Sequence, residues 1–403
     1  MFGCTDLWIG KRFEPALTAF LNGERERREL RAQEAIDAGA VDRLYDAWRA
    51  ECGGAPRAWW DESAVPGDAF SGWDSTAAHV PLGRTHVVPS NRDTVALGVF
   101  DPKREPVTTV DSGDVVVYRD TWTHFLNRLQ PGVTIDELAA MRAECRGRGV
   151  HSIVGPVAVR GAMPGDVVQL RTLRLETIDF GANFHNPRSI GTGALPDDFE
   201  HGHIEYFSLD AERGFVEFDP RIRLTLRPFQ GTLGLAAAGD EAISSVAPHR
   251  HAGNIDLKDL TVGSSLFVPV AHAGGLIFTG DSHALQGDGE VNITALETAM
   301  REAAIQVILH ENAPWTWPFA ETATHWIALG FDPNLNEALR IALRNTIDFL
   351  TLRAGLSRDR AYSLASLGVD FRVTQMVDVN NGVHAMIPKS IFAPDFRREI
   401  RIA

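Results

Sequence analysis

From about residue 80 onward the apolar positions fall in short runs that are β-branched or aromatic and separated by Gly, Asp, Asn or Ser, the pattern of strands rather than helices. Val107–Val110 and Val115–Tyr118 flank the turn sequence Asp111–Ser112–Gly113–Asp114. Met163–Pro164–Gly165–Asp166 launches Val167–Leu175, where apolar and polar residues alternate, and Val262–Gly263–Ser264–Ser265 precedes Leu266–Val270 in the same way. Ile204–Leu209 and Phe215–Phe218 read as a hairpin across Glu212–Arg213–Gly214, with a further strand at Arg223–Leu226. Thr298–His310 fits either element, and the reading adopted is a strand over Ala303–Leu309. A second period appears later. Leu335, Leu339, Leu343, Ile347 and Leu350 recur at helical spacing within 334–356, Gly355 suits the C-cap, and Ser357 caps a following helix. The chain closes on Val373–Val379, an Asn380–Asn381–Gly382 turn and Val383–Ile387.

The first 78 residues differ from the rest. Ala16–Phe20 and Glu24–Trp48 read as helical, Gly53–Gly54–Ala55–Pro56 ends the segment, and Trp59, Trp60 and Trp73 follow in a turn-rich stretch. The expected organisation is an extension over 1–78, helical and Trp-rich, and a catalytic domain over 79–403. The fold class expected is α+β, with sheet dominant and helices near the C-terminus.

Bulk properties narrow the partners. The 403 residues are 44% hydrophobic and 23% charged, ordinary for a globular protein with a sizeable core. The net charge of −14 argues against nucleic acid as the main partner. Cys4, Cys52 and Cys145 lie far apart without a C-x-x-C pair, which excludes a cysteine zinc cluster or disulfide framework and suits a reducing compartment. The N-terminus lacks signal-peptide character, and no apolar run approaches the roughly 18 residues of a membrane span. A cytoplasmic protein with no membrane partner is expected.

The chemistry concentrates in Gly280–Val291, GDSHALQGDGEV. This segment follows two apolar runs, Leu266–Val270 and Gly275–Thr279, and is expected to be a loop or bulged strand end facing a cleft. Asp281 and His283 are two apart, so on extended backbone they project to one face, where a carboxylate and an imidazole share a metal ion or a proton. Asp288 and Glu290 repeat that spacing. His249 and His251 form an H-x-H in a loop, and Glu321 and His325 stand one helical turn apart if their segment is helical. His151 is a lesser candidate of the same kind. Each of these also has a structural reading, as a turn former or a hydrogen-bonded interior histidine. No G-x-S-x-G elbow, P-loop or dinucleotide fingerprint is present, which disfavours serine hydrolysis and nucleotide cofactors.

Four segments together resemble the acetamidase/formamidase family: Val154–Asp166 (VGPVAVRGAMPGD), Gly253–Val270 (GNIDLKDLTVGSSLFVPV), Gly280–Val291 and Phe371–Pro388 (FRVTQMVDVNNGVHAMIP). Glu321–His325 is a fifth match. The D-x-H-x-x-Q-G-D-G-E string is the most distinctive. The resemblance implies a β-rich fold, a homo-oligomer (dimer or higher), and hydrolysis of short carboxamides of the formamide or acetamide type to carboxylate and ammonia. It also implies a divalent metal, zinc or calcium, in at least some members. Asp256, Asp281 and His283 are then the candidate metal ligands, with manganese left open beside zinc and calcium. Glu290, Asp288, Glu321 and His325 are the candidate catalytic residues, with Glu290 preferred as general base. Asn254 and Gln286 carry amides suited to pairing with a substrate amide. Two departures stand out: Ala252 replaces the first glycine of a G-G-N, and Asn292–Ile293 replaces a Cys-Gly after Glu290–Val291. A bulkier amide or imide as substrate, or a non-catalytic metal-stabilised oligomer that only binds, are the alternatives.

Overall fold

The computed structural model describes residues 80–210, 213–397 and 400–403. The helices expected within 1–78 and the tryptophans at 59, 60 and 73 lie outside the described residues. Two nine-stranded sheets form the body. The first runs, in spatial order, Thr85–Pro89, Val115–Arg119, Met300–His310, Val167–Thr177, Ser265–Pro269, Phe319–Glu321, His325–Asp332, Asn381–Pro388 and Asp370–Gln375. All neighbours in it are antiparallel except the first pair. The second runs Ala252–Asn254, Phe229–Gly234, Ile277–His283, Glu297–Thr298, Phe180–His185 and His203–Ser208. Ser152–Val159 also pairs with Ile277–His283, and carries Val95–Leu97 and Thr108–Val110 on it.

One continuous core joins the sheets. Val116, Tyr118, Leu170, Leu266 and Ile305 of the first pack with Val154, Val157, Phe229, Leu233 and Ile277 of the second, and all ten are essentially fully buried. Every residue of Ser152–Val159 is buried, which is why that run reads as unbroken apolar sequence instead of an alternating one. The ambiguous 298–310 stretch is strand, as expected. Among the described residues no helix is long and apolar enough to cross a membrane.

The C-terminal helices cover the opposite face of the first sheet. Leu335–Ala354 begins at Asn334, whose side chain accepts from the Asn336 amide, and ends on Gly355 at φ 65°. Its inward face differs from the expected leucine row. Ala338, Ala342, Thr346, Phe349 and Leu350 are buried, whereas Leu339 is 39% exposed. The cause is Gly330: a Cβ there would stand 2.3 Å from the Ala338 carbonyl oxygen, so helix and strand touch backbone to backbone and only small residues fit. Arg358–Gly368 follows, capped by Ser357.

Two other expectations are corrected. Phe215–Asp219 pairs with Ile222–Thr225, not with His203–Ser208, which joins Phe180–His185 instead. The closing hairpin turns earlier than expected: Asn381 and Gly382 already belong to the returning strand, and residues 376–380 make the loop. That loop contains Asp378, a buried carboxylate, so its apolar neighbours line a cavity and do not extend a ladder.

Candidate active site

The Gly280–Val291 segment divides. Its first four residues continue the strand Ile277–His283, and the remainder leaves it as a loop. Register pairs His283 with Glu297 across the antiparallel ladder, and Phe229–Gly234 runs along the other side, Thr232 opposite Gly280. Asp281 takes φ 53° within its strand, and Asp256 and Glu290 stand at 49° and 46°. Non-glycine residues on left-handed backbone cost energy, and such strain collects at functional sites.

Eight ionisable side chains meet there, all buried: His124, His151, Asp256, Asp281, His283, Glu290, Glu297 and Asp378. Within this set four donor atoms form a quartet. His283 Nε2 lies 3.3 Å from Asp281 Oδ1 and 3.3 Å from Glu297 Oε2. His124 Nε2 lies 3.5 Å and 3.3 Å from the same two oxygens. The second group is acidic: Asp256, Glu290 and Asp378 bring their carboxyl oxygens within 4.8 Å of one another. Asp256 stands on the far side of the His283 ring, 3.8 Å from Nδ1.

Partners on the outer side orient these groups. Gln286 places Oε1 3.1 Å from His283 Nδ1 and donates through Nε2 to the Asp256 carbonyl at 2.9 Å. With the amide so fixed, His283 Nδ1 carries the proton it donates, and Nε2 is the nitrogen facing the quartet. Asn254 accepts from Thr232 Oγ1 at 2.6 Å and donates to the Val246 carbonyl at 3.3 Å. Both side-chain amides expected to meet substrate are therefore engaged by the protein, Gln286 behind a histidine and Asn254 in the cavity wall. His151 Nδ1 is 2.7 Å from Ser245 Oγ. His124 is held in a loop where Phe125, Leu126 and Asn127 all have positive φ, with the Phe125 amide donating to the Val150 carbonyl.

The electrostatics split the cluster along the same line. Burial raises Asp281, but His151, His283 and His124 more than offset it and hold the carboxyl well below the usual range. Burial lowers His283, yet Glu297 and Asp281 hold it well above an ordinary imidazole. Asp256 is pushed far up by burial and by the charges of Glu290 and Asp378, Glu290 by burial and the charge of Asp378, and Asp378 rises to about 7, chiefly by burial. Burial drops His151 to about 4.

The donor set fits a metal ion. Asp256 Oδ1 and Oδ2, His283 Nε2, Glu297 Oε2 and Asp378 Oδ2 are all buried without a hydrogen-bond partner, an arrangement that is costly unless a cation answers it. Gly231 leaves the necessary room, since a Cβ at that position would fall 2.5 Å from His283 Cε1, 2.6 Å from Asp256 Oδ1 and 2.8 Å from Asp281 Oδ2. Four donors around a tetrahedral zinc at roughly 2.0–2.1 Å are about 3.3–3.4 Å apart, close to the four separations in the quartet. Calcium prefers six to eight oxygens, roughly, and two imidazoles suit it poorly.

The remaining sequence candidates lie elsewhere. Asp288 pairs with Lys258 at 3.0 Å and is partly exposed, because Gly289 at φ 97° and Glu290 at 46° turn the chain between the two acids. Glu321 and His325 are in a hairpin, not a helix; Glu321 is ion-paired to Lys389 at 2.6 Å and His325 Nδ1 meets Thr324 Oγ1 at 2.8 Å. His249 and His251 line a separate cavity. Asn292 bonds to Asn183 at 2.7 Å and is not in the wall of the cavity beside the cluster. The sequence reading missed His124, Glu297 and Asp378 as site residues. Asp378 lies inside a segment that carried the family resemblance, but His124 and Glu297 sit in TWTHFLN and ALETAM, where nothing marks them.

The profile of the Acetamidase/Formamidase family matches residues 235–313, the stretch that contributes Asp256, Asp281, His283, Glu290 and Glu297. A formamidase from Methylophilus methylotrophus is 24% identical over 320 residues, covering 62% of this chain and 78% of the relative. An acetamidase from Mycolicibacterium smegmatis is 38% identical over 117 residues, 27% of each chain. The crystal structure of an acetamidase from Yersinia enterocolitica aligns with a TM-score of 0.70 at 29% identity, over 79% of this chain and 95% of that one. Together with the β-rich fold these define an amide hydrolase. The chain resembles members of the acetamidase/formamidase family, whose profile it matches over residues 235–313.

Proposed function

We propose that the chain hydrolyses a carboxamide to a carboxylate and ammonia at the quartet and acidic group just described, with residues 79–403 as the catalytic unit. The observation that carries this reading is the set of unpartnered, buried donor atoms from Asp256, His283, Glu297 and Asp378, with Gly231 leaving room beside Asp256, Asp281 and His283. His124, Asp281, His283 and Glu297 would hold a divalent metal, with zinc the best fit to their spacing. When bound, such an ion polarises the amide carbonyl and lowers the pKa of water.

The protein's own part is to move the proton and keep solvent out. Glu290 borders the quartet, its carboxyl within 4.8 Å of the donor atoms of His283 and Glu297. Its raised pKa suits a group that takes a proton from the attacking water and returns it to nitrogen. The water oxygen bonds to the carbonyl carbon, the C–N bond breaks, and the nitrogen leaves as ammonia once protonated by Glu290. Asp256 and Asp378 keep that proton local, because ionising all three acids together is disfavoured. Gln286 holds His283 in one tautomer.

The test is ammonia release from formamide, acetamide and longer amides by protein as purified, after chelation, and after adding back zinc, calcium or manganese. Release that chelation abolishes and zinc restores best is expected, and His283→Ala and Glu290→Gln should each remove turnover in a folded protein. Normal hydrolysis by both variants would sink the site assignment.

A further inference from the structure

The cavity beside the cluster has a volume of about 530 Å3 and is lined in part by His124, Asp281, Glu290, Glu297 and Asp378. A site needs only roughly 10–15 Å3 to admit a water, so formamide or acetamide would fill a small part of it. Its lining also contains two guanidinium groups, Arg142 and Arg148. Arg142 comes from the last turn of Ile135–Ala143, a helix started by a reciprocal Thr134–Glu137 capping box. Leu138 and Met141 of that helix are buried against Phe125, Leu129 and Phe184, which fixes the helix against the cavity. Arg142 is half-buried and Arg148 exposed, and no carboxylate of the described residues comes within ion-pair distance of either. Asp378 is the carboxylate whose charge acts on Arg142. A guanidinium in a cavity wall without a bonded anion presents a planar fork of donors that matches a carboxylate.

We infer that the substrate is an amide whose acyl chain ends in a carboxylate, such as the monoamide of a dicarboxylic acid, with the amide at the acid–histidine cluster and the carboxylate on Arg142 and Arg148. The inference rests on the amidase reading above and narrows its substrate class. The charge pattern supports it: the lining carries both the acid–histidine cluster and two guanidinium groups, so a chain neutral at one end and anionic at the other is oriented as it enters. A neutral amide gains nothing from the guanidinium groups. An anion bound backwards would meet the carboxylates.

The experiment compares succinamate with butyramide as substrates, and measures succinamate binding by calorimetry, for wild type, Arg142→Met, the Arg142→Met/Arg148→Met double variant, and Arg146→Met as a control on an exposed arginine outside the cavity. The wild type should favour succinamate by about tenfold or more in kcat/KM, the range of a charge-assisted hydrogen bond. That preference should fall towards unity in the double variant and persist in the control. No preference in the wild type, or one the double variant leaves intact, overturns the inference. If neither amide is hydrolysed, the amidase reading fails by itself: arginine-dependent binding of succinamate would still uphold the anion site, and equal binding by wild type and double variant would overturn it.

Discussion

Gly231→Ala isolates the metal pocket with a single methyl group. The added carbon would stand 2.5 Å from His283 Cε1, 2.6 Å from Asp256 Oδ1 and 2.8 Å from Asp281 Oδ2. Carbon contacts are comfortable at roughly 3.5–4.0 Å, so the imidazole must retreat by about 1 Å. It has nowhere easy to go, because its ring meets Phe229 edge-on at 5.0 Å and His283 is 1% exposed. Overpacking of this kind costs about 1–3 kcal/mol in stability, a shift of a few degrees in Tm that leaves the protein folded. The larger effect is on the site, where a displacement of about 1 Å costs roughly a hundredfold in rate. The assay is zinc content by mass spectrometry alongside ammonia release and a thermal melt. Gly287→Ala is the matched control, since a Cβ there meets nothing within 4 Å. A Gly231→Ala protein that retains full zinc and turnover within threefold of wild type would refute the idea that this glycine makes room for the ion.

Three further outcomes are expected. Gln286→Leu removes the acceptor on His283 Nδ1 and should weaken zinc affinity by about 10–100-fold, measured by competition with a chromophoric chelator; unchanged affinity would show that Gln286 is only a turn residue. Lys389→Met strips the ammonium from Glu321, a pair 5% and 3% exposed, and should cost about 3–5 kcal/mol in urea unfolding without altering zinc content, which separates a stabilising Glu321 from a catalytic one. His251 and His384 should make stability fall as pH drops from about 6.5 to about 4, because burial lowers both to about 4. Comparison with a His251→Gln/His384→Gln variant separates this from the opposing effect of the raised Asp256, Glu290 and Asp378. Their folded pKa lies below the unfolded one, so the unfolded chain takes up protons first, and the stabilisation is complete above about 6.5. A difference in urea midpoint between wild type and that variant that is flat across this window would contradict the burial argument.

The strands and the cluster differ in how far they could be read from sequence. Apolar alternation and turn residues located Val167–Thr177, Met300–His310 and the terminal helices, since each is governed by local period and caps. Asp281 and His283 were legible because a two-residue spacing on a strand is itself a geometric statement, and they meet at 3.3 Å. The same argument gave no true neighbour for Asp288 and Glu290, where positive φ at Gly289 and Glu290 breaks the period. Which face of Leu335–Ala354 is buried also escaped, because it depends on Gly330 in a strand that the helix covers. His124 and Glu297 were beyond reach for another reason. They join the quartet through strand register and a left-handed loop, and a lone His or Glu carries no local trace of its partners, which for His124 lie more than a hundred residues away.

The cluster explains why so unfavourable an arrangement is tolerated. Five carboxylates are buried together, and three of them, Asp256, Glu290 and Asp378, have their pKa raised, so the free protein holds protons on the acidic side and on His283. A cation entering the quartet must displace the proton from His283 before Nε2 can donate, which ties metal loading to pH and favours it as pH rises. Three residues on left-handed backbone, at about 1–2 kcal/mol each, add a strain that only a rigid frame can hold. The frame is visible around each of them. The Ile255 and Asp256 amides both donate to the Gly231 carbonyl at 3.1 Å, the Ile293 amide closes on the Glu290 carbonyl at 3.0 Å, and Asp281 lies between two paired strands. The hydrophobic contact between the sheets supplies the stability, and the loops at the end of Ile277–His283 convert part of it into a preorganised charge pattern. Gly231 is where the two requirements meet: its carbonyl pins Asp256, and its missing side chain leaves the space around which the donors converge.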